Sequence, residues 1–152
     1  MKMNAQSKKV KAGAKKHPAF NKNAEPFFRI IREGLGSMVT GEHFWDTVAE
    51  QAVFEFRYHI PGFTNQINGR QAYMDWFAGY PNVLHNADNL RVHRAADPNV
   101  VILEYEVHGT VPGTGKAYDN RFCSIITLQD RKIVHWRDYM DSLAVMLSVS
   151  PD

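Results

Sequence analysis

Two hydrophobic periodicities divide the chain. Up to about residue 80 apolar side chains recur mostly at helical spacing, and from residue 88 they alternate with polar ones. Phe27, Phe28, Ile30, Ile31 and Leu35 fall three and four residues apart after Glu25-Pro26, an acid and a proline suited to a first helical turn, and the pattern stops at Gly34–Gly36. Glu42–Gln51 reads as a second short helix with Phe44, Trp45 and Val48 inward. Val53–His59 alternates cleanly, the mark of a half-buried strand, and Pro61-Gly62 closes it. Ile67-Asn-Gly-Arg70 reads as a turn into a helix over 70–79, with Tyr73, Trp76, Phe77 and Tyr80 on one stripe.

The second half predicts a strand from residue 88, a turn at Asp97-Pro98-Asn99, and strands over 100–110, 117–128 and 132–140. The turns between them are Pro112–Gly115 and Gln129–Lys132, and Ser142–Val149 closes the chain as a short apolar helix. Helices followed by hairpin-linked strands predict an α+β fold, with the helices packed on one face of a bent antiparallel sheet.

Period-two alternation separates the faces of that sheet. Phe54, Phe56 and Tyr58 share one face with Val101, Leu103, Tyr105 and Val107. Tyr118, Asn120, Phe122, Ser124, Ile126 and Leu128 join them from the next strand, and Val134, Trp136, Asp138 and Met140 from the last. The opposite face collects Glu55, Arg57, Glu104, Glu106, Asp119, Arg121, His135 and Arg137. Mixed charges on neighbouring strands make cross-strand ion pairs; such a face is either solvated or the interface of a homodimer.

Asp138 is the residue that breaks the apolar face. A carboxylate between Trp136 and Met140, near Phe122 and Tyr105, loses hydration and its pKa rises, which suits a general acid–base. The other reading places it at the sheet rim, solvated or bonded to Tyr118 or Asn120. Tyr58, Tyr118 and Asn120 share its face and are candidates to bind a substrate oxygen. His85 follows the aromatic helix, in a position suited to a loop over a pocket.

Other chemistry is weakly marked. The histidines lack metal-ligand spacing, so no metal site is expected. Val111-Pro-Gly-Thr-Gly-Lys116 lacks phosphate-loop spacing and reads as a hairpin turn. Cys123 lies on the charged face without an obvious base, and a single cysteine forms no internal disulfide.

The 152 residues suffice for one domain with its own core, and 44% hydrophobic content excludes a wholly disordered chain. The net charge of +2 hides an asymmetry: residues 1–22 hold seven lysines and no acid. Residues 1–24 are therefore expected to form a flexible lysine-rich tail ahead of a domain over 25–152. The remaining chain is acidic, and the tail has no aromatic before Phe20, so nucleic-acid binding is not expected. No apolar run reaches the ~20 residues of a bilayer span, and no signal-peptide core is present, so the cytoplasm is the expected location.

The run Gly115-Lys-Ala-Tyr-Asp-Asn-Arg-Phe122, followed by Asp130-Arg-Lys-Ile-Val-His-Trp-Arg-Asp-Tyr-Met-Asp141, resembles the SnoaL-like branch of the nuclear transport factor 2-like superfamily. The resemblance spans roughly 25–149. It implies a conical barrel built on the bent sheet, dimerisation through that sheet, and a deep apolar pocket under the helices. Tyr118 and Asp138 match positions that carry a tyrosine and an acid in phenazine-biosynthesis members, where the acid is usually glutamate. Asp141 looks similar to the acid before the last helix in polyketide cyclases. These matches imply a cofactor-free enzyme working by acid–base chemistry on a small hydrophobic carbonyl or polyketide-like compound. Asp138 is then the base, Asp141 the second acid and Tyr118 a partner. Phe56, Tyr58, Trp76, Tyr80, Tyr105, Phe122 and Trp136 form the walls, with His85 and Asn120 at the substrate. A non-catalytic small-molecule-binding domain, or a dimerisation module with a basic tail, are the alternatives.

Overall fold

The computed structural model describes residues 22–152. The lysine-rich stretch over 1–21 lies outside the described residues, whereas Lys22–Ala24 forms a short turn that runs into the first helix with Ala24 buried.

Helix α1 (Glu25–Leu35) buries Phe27, Phe28, Ile30, Ile31 and Leu35, the expected stripe, and ends at Gly36, whose φ of 53° is a conformation glycine adopts without steric cost. The second expected helix is not there. His43 and Asp46 cap each other's backbone over a single 3-10 turn, Phe44–Thr47, and the chain becomes strand β1 (Val48–Phe56). Phe44, Trp45, Thr47 and Val48 are all fully buried. Their spacing mimics a helix, but β-branched Thr47 and Val48 lead instead into pairing with the last strand. Residues 66–68 form a short edge strand β2 (Gln66–Asn68) on β1 where a turn was expected, and α2 (Arg70–Phe77) follows.

Strands β3 (Leu84–Arg94), β4 (Val100–Thr110), β5 (Ala117–Gln129) and β6 (Lys132–Met140) and helix α3 (Ser142–Val149) complete the fold. β3 begins four residues before the expected 88. The six strands lie in the order β2-β1-β6-β5-β4-β3, and every pairing is antiparallel except β1 with β6, which is parallel. The sheet is thus mixed and open rather than an all-antiparallel closed barrel. It curves under α1, which lies over β3 and β4, and α2, which lies over β1.

One face assignment needs correction. Strict alternation in β6 puts Ile133 on the charged face, yet it is fully buried and Val134 only partly so. Thr127 pairs with His135 but Leu128 pairs with Ile133, so one extra residue on β6 slips the register and returns Ile133 to the core. The hairpin before it turns through Asp130 and Arg131, at φ of 49° and 58°, the paired positive angles of a tight hairpin turn.

Aromatic rings fill the interior beneath α1 and α2. Phe28 stacks on Phe44 at 5.0 Å, and Phe54 lies flat on Tyr73 at 3.7 Å. The outer face of the sheet is a lattice of cross-strand pairs: His93 with Glu104 at 2.6 Å, His135 with Glu55 at 2.6 Å, and His108 between Asp119 at 2.6 Å and Asp88 at 2.9 Å. The two hydrogen bonds that the protonated ring donates to Asp119 and Asp88 raise the pKa of His108 above 6.5. The imidazolium is favoured by the fold, so its contribution is complete at acid pH and is lost as pH rises through the elevated pKa. Side-chain proton NMR is expected to show His108 titrating above 6.5. In Asp119→Asn the midpoint falls, with only a small stability change because the group is partly solvated.

Candidate active site

The cavity lies between the concave side of the sheet and α2 and α3, and encloses about 190 Å³. α1 and α2 supply Phe27, Tyr73, Trp76 and Phe77; the strands supply Tyr105, Tyr118, Phe122, Asp138 and Met140; α3 supplies Val145, Ser148 and Val149. Part of the aromatic stripe fills the core and the rest lines this space, so the pocket is open rather than packed shut.

Among the described residues Asp138 is the only acid that lines it. β1 and β6 run parallel with Phe56 opposite Asp138, and the Arg57 amide donates to the Asp138 carbonyl at 2.8 Å. That bond carries the chain past the aspartate and sets Tyr58 at the wall just beyond the strand. The carboxylate itself is buried. Ser124 Oγ donates to its Oδ1 at 2.5 Å and Trp136 Nε1 donates to the same atom at 2.6 Å. Oδ2 has no partner among the described residues. Loss of hydration raises the Asp138 pKa from 3.8 to about 6, and the two donors hold it below what burial alone would give.

Behind Oδ1 the network continues. Ser124 uses its one proton on Asp138, so the Tyr105 hydroxyl, 2.9 Å away, donates to Ser124 Oγ. Removing Ser124's hydroxyl withdraws a charge-assisted bond of about 1.5–3 kcal/mol from the carboxylate. In Ser124→Ala the Asp138 pKa is expected to rise by about one unit or more, read by carboxyl-carbon NMR titration. A value unmoved from wild type would mean that Ser124 does not tune the acid.

The remaining hydroxyls divide into committed and spare. Asn120 Nδ2 donates to the Tyr118 hydroxyl at 3.2 Å, and Tyr118 and Tyr80 meet hydroxyl to hydroxyl at 3.2 Å. With one proton used between the two phenols, the pair keeps one to offer the cavity. Tyr58 and Tyr73 line the cavity with hydroxyls that have no partner among the described residues. Burial, reinforced by the Asp138 charge, raises the pKa of both, so they stand as neutral donors.

Several expected site residues lie elsewhere. Asp141 is exposed and caps α3, accepting from the amides of Leu143 and Ala144 at 3.0 and 3.3 Å. Asn120 is buried beside the cavity, where Nδ2 donates to the Asp141 carbonyl and Oδ1 accepts the Asp141 amide, both at 3.0 Å; it fixes the start of α3. His85 is exposed on β3 rather than in a loop over the pocket. Phe56 backs the wall by stacking on Trp76 at 4.7 Å, and Trp136 stands behind Asp138 rather than on the surface of the cavity. Tyr58, Trp76, Tyr80, Tyr105, Tyr118, Phe122 and Asp138 do converge there. Sequence reasoning missed Phe27, Tyr73 and Phe77 as wall residues although their helical stripes pointed inward. It had no signal for Phe63, which lies in the β1–β2 connection.

Residues 39–136 match the family model described as a SnoaL-like domain, about two thirds of the chain. The chain belongs to the SnoaL-like family. This SnoaL-like domain is 39% identical over 103 residues to the uncharacterized protein YesE of Bacillus subtilis strain 168, covering 66% of this chain and 68% of that one. A crystal structure from Bacillus subtilis, provisionally named an isomerase, superposes with a TM-score of 0.66 at 32% identity, over 83% of this chain and 88% of that one. A phenazine biosynthesis-related protein from Pseudomonas aeruginosa gives 0.64 at 20% identity, over 82% and 87% of the two chains, a likeness of fold alone. Ketosteroid isomerase-like and nuclear transport factor 2-like structures are among the further neighbours, again a likeness of fold alone. Among the described residues no helix is long and apolar enough to cross a membrane.

Proposed function

We propose that this SnoaL-like domain is an enzyme that moves a proton beside the carbonyl group of a small hydrophobic compound, in the manner of an isomerase or cyclase, with its own side chains as acid and base. The observation that carries this reading is Asp138: a buried carboxylate at an aromatic cavity, with both donors on Oδ1 and Oδ2 left unpartnered. In the ionised form, Oδ2 takes a proton from the carbon next to the carbonyl. The bonding pair moves into the carbonyl, and charge grows on its oxygen. Tyr58, Tyr73 and the Tyr80–Tyr118 pair line the same cavity, and a hydrogen bond from one of their hydroxyls to that oxygen would stabilise the enolate. Protonated Asp138 then returns the proton to the same or a conjugated carbon. A pKa near 6 suits both directions at neutral pH, since the group is mostly a base yet readily holds a proton. The Bacillus subtilis structure named provisionally as an isomerase agrees in reaction type.

The test needs no knowledge of the natural substrate. Acetophenone, cyclohexanone and cyclohexenone are incubated with the protein in deuterium oxide, and deuterium entering at the carbon beside the carbonyl is followed by proton NMR. Catalysed exchange that rises with pH through about 6 is expected. Ketones that bind without any exchange above the buffer rate would overturn the catalytic reading and leave a small-molecule-binding domain.

A further inference from the structure

The shape, charge and spare hydrogen-bonding groups of the cavity narrow its ligand further. Its 190 Å³ lies below the usual range for drug-sized ligands and somewhat above the ~150 Å³ of an apolar cavity that admits benzene. One ring with a small substituent fits inside; a second fused ring would have to extend out through the mouth.

Charge is the next constraint. Among the described residues, no lysine, arginine or histidine lines the cavity. A ligand carboxylate or phosphate would be stripped of water with no cation to meet it, and ionised Asp138 would repel it. An ammonium ion would find the carboxylate and the faces of aromatic rings. It brings donors only, however, into a site that already has donors to spare. Tyr58, Tyr73 and the Tyr80–Tyr118 pair hold three uncommitted hydroxyl protons, against the single free carboxylate oxygen of Asp138. Three donors and one base call for an acceptor with a removable hydrogen beside it. Ser148 adds nothing, because its hydroxyl is spent on the Val145 carbonyl at 2.7 Å.

The mouth sets the orientation. Phe63, Trp76 and Val149 line the cavity and remain 53%, 38% and 46% exposed, so the solvent-facing part of the lining carries three apolar side chains. A ligand enters with its polar end leading to the tyrosines and Asp138 and leaves an apolar edge at the rim.

We infer that the cavity takes an uncharged, single-ring ketone or enone, its oxygen inward among the tyrosine hydroxyls and its apolar edge against Phe63, Trp76 and Val149. The inference builds on the acid–base reading of Asp138, and equilibrium binding separates the two. Acetophenone, benzoate, benzylammonium and 1-acetonaphthone are titrated against the full chain at pH 7.5 by isothermal calorimetry, with tryptophan fluorescence as a second readout. Acetophenone is expected to bind at least tenfold more tightly than the other three. Phe63→Ala, at an exposed position that leaves the core intact, is expected to weaken acetophenone several-fold. Val145→Trp, which fills the cavity from α3, is expected to abolish binding while circular dichroism stays unchanged. Benzoate or benzylammonium binding as tightly as acetophenone would overturn the ligand class, as would tight binding of the two-ring ketone or full affinity in both variants. Acetophenone bound selectively but never exchanged would leave the ligand class standing and remove the acid–base reading.

Discussion

Replacing Asp138 by asparagine is expected to stabilise the fold at neutral pH by up to about 3 kcal/mol while slowing proton exchange by about 10²–10⁴-fold. The two effects share one cause. Burial lifts the carboxyl pKa from 3.8 to about 6, so the folded chain holds a proton that the unfolded chain has already released. The native state therefore binds more protons between those values, and stability falls as pH rises from about 4 to about 6. Above that window the ionised group imposes its full penalty, which a shift of about two units puts near 3 kcal/mol. Asparagine does not titrate. Its Oδ1 can still accept from Ser124 and Trp136, and its amide nitrogen takes the place of Oδ2 at the cavity. Chemical denaturation should give matching stabilities for the two proteins near pH 4 and a more stable variant at pH 7.5. A variant no more stable than wild type at pH 7.5 would show that the wild-type carboxylate is not desolvated, and the catalytic reading would lose its basis. A gain in stability with loss of turnover is the pattern expected of a strained functional group.

How much of this was legible beforehand depends on the range of the interactions involved. Asp138 stood out because strand alternation is local: one charged residue between Trp136 and Met140 on an apolar face is visible in a few residues of sequence. The tyrosines of β4 and β5 were visible for the same reason. Asp141 was read as a second acid, but an acid before a helix has two uses, and in the structure its side chain accepts from the amides of Leu143 and Ala144. Asn120 was counted as a substrate contact, but besides the Tyr118 hydroxyl it bonds the backbone of Asp141, twenty-one residues away, and only the hairpin of β5 with β6 brings those two together. The parallel pairing of β1 with β6 was equally illegible. It joins residues some 80 apart in sequence, and the helix-like spacing of Phe44, Trp45 and Val48 obscured the start of the strand. The slip at Val134 escaped because periodicity assumes an unbroken register, whereas here Leu128 pairs with Ile133 and the register passes over Val134.

The largest effect on the scaffold is expected at Gly109. This residue lies near the end of β4, opposite Leu84, where the chain entering β3 crosses close above it. A Cβ built there would sit 1.8 Å from the Val83 carbonyl oxygen and 2.7 Å from its carbon, backbone atoms that no side-chain rotation can move aside. Gly109→Ala therefore displaces the start of β3 as a unit. Overpacking of this kind costs about 1–3 kcal/mol, and the same movement breaks the 3.0 Å bond from the Thr110 amide to the Val83 carbonyl, worth about 1 kcal/mol more. A total near 3 kcal/mol corresponds to a fall in melting temperature of roughly 10 °C for a domain of this size. The consequence reaches the cavity, because Val83 is one of its walls and adjoins the turn that holds Tyr80 against Tyr118. Calorimetric melting of Gly109→Ala, compared with Gly113→Ala in the open β4–β5 turn where a Cβ meets nothing within 4 Å, isolates the contact from the general effect of replacing glycine. Equal melting temperatures for the two variants would refute the close approach. A fall confined to Gly109→Ala, accompanied by weaker acetophenone binding, would tie the packing of β3 on β4 directly to the shape of the site.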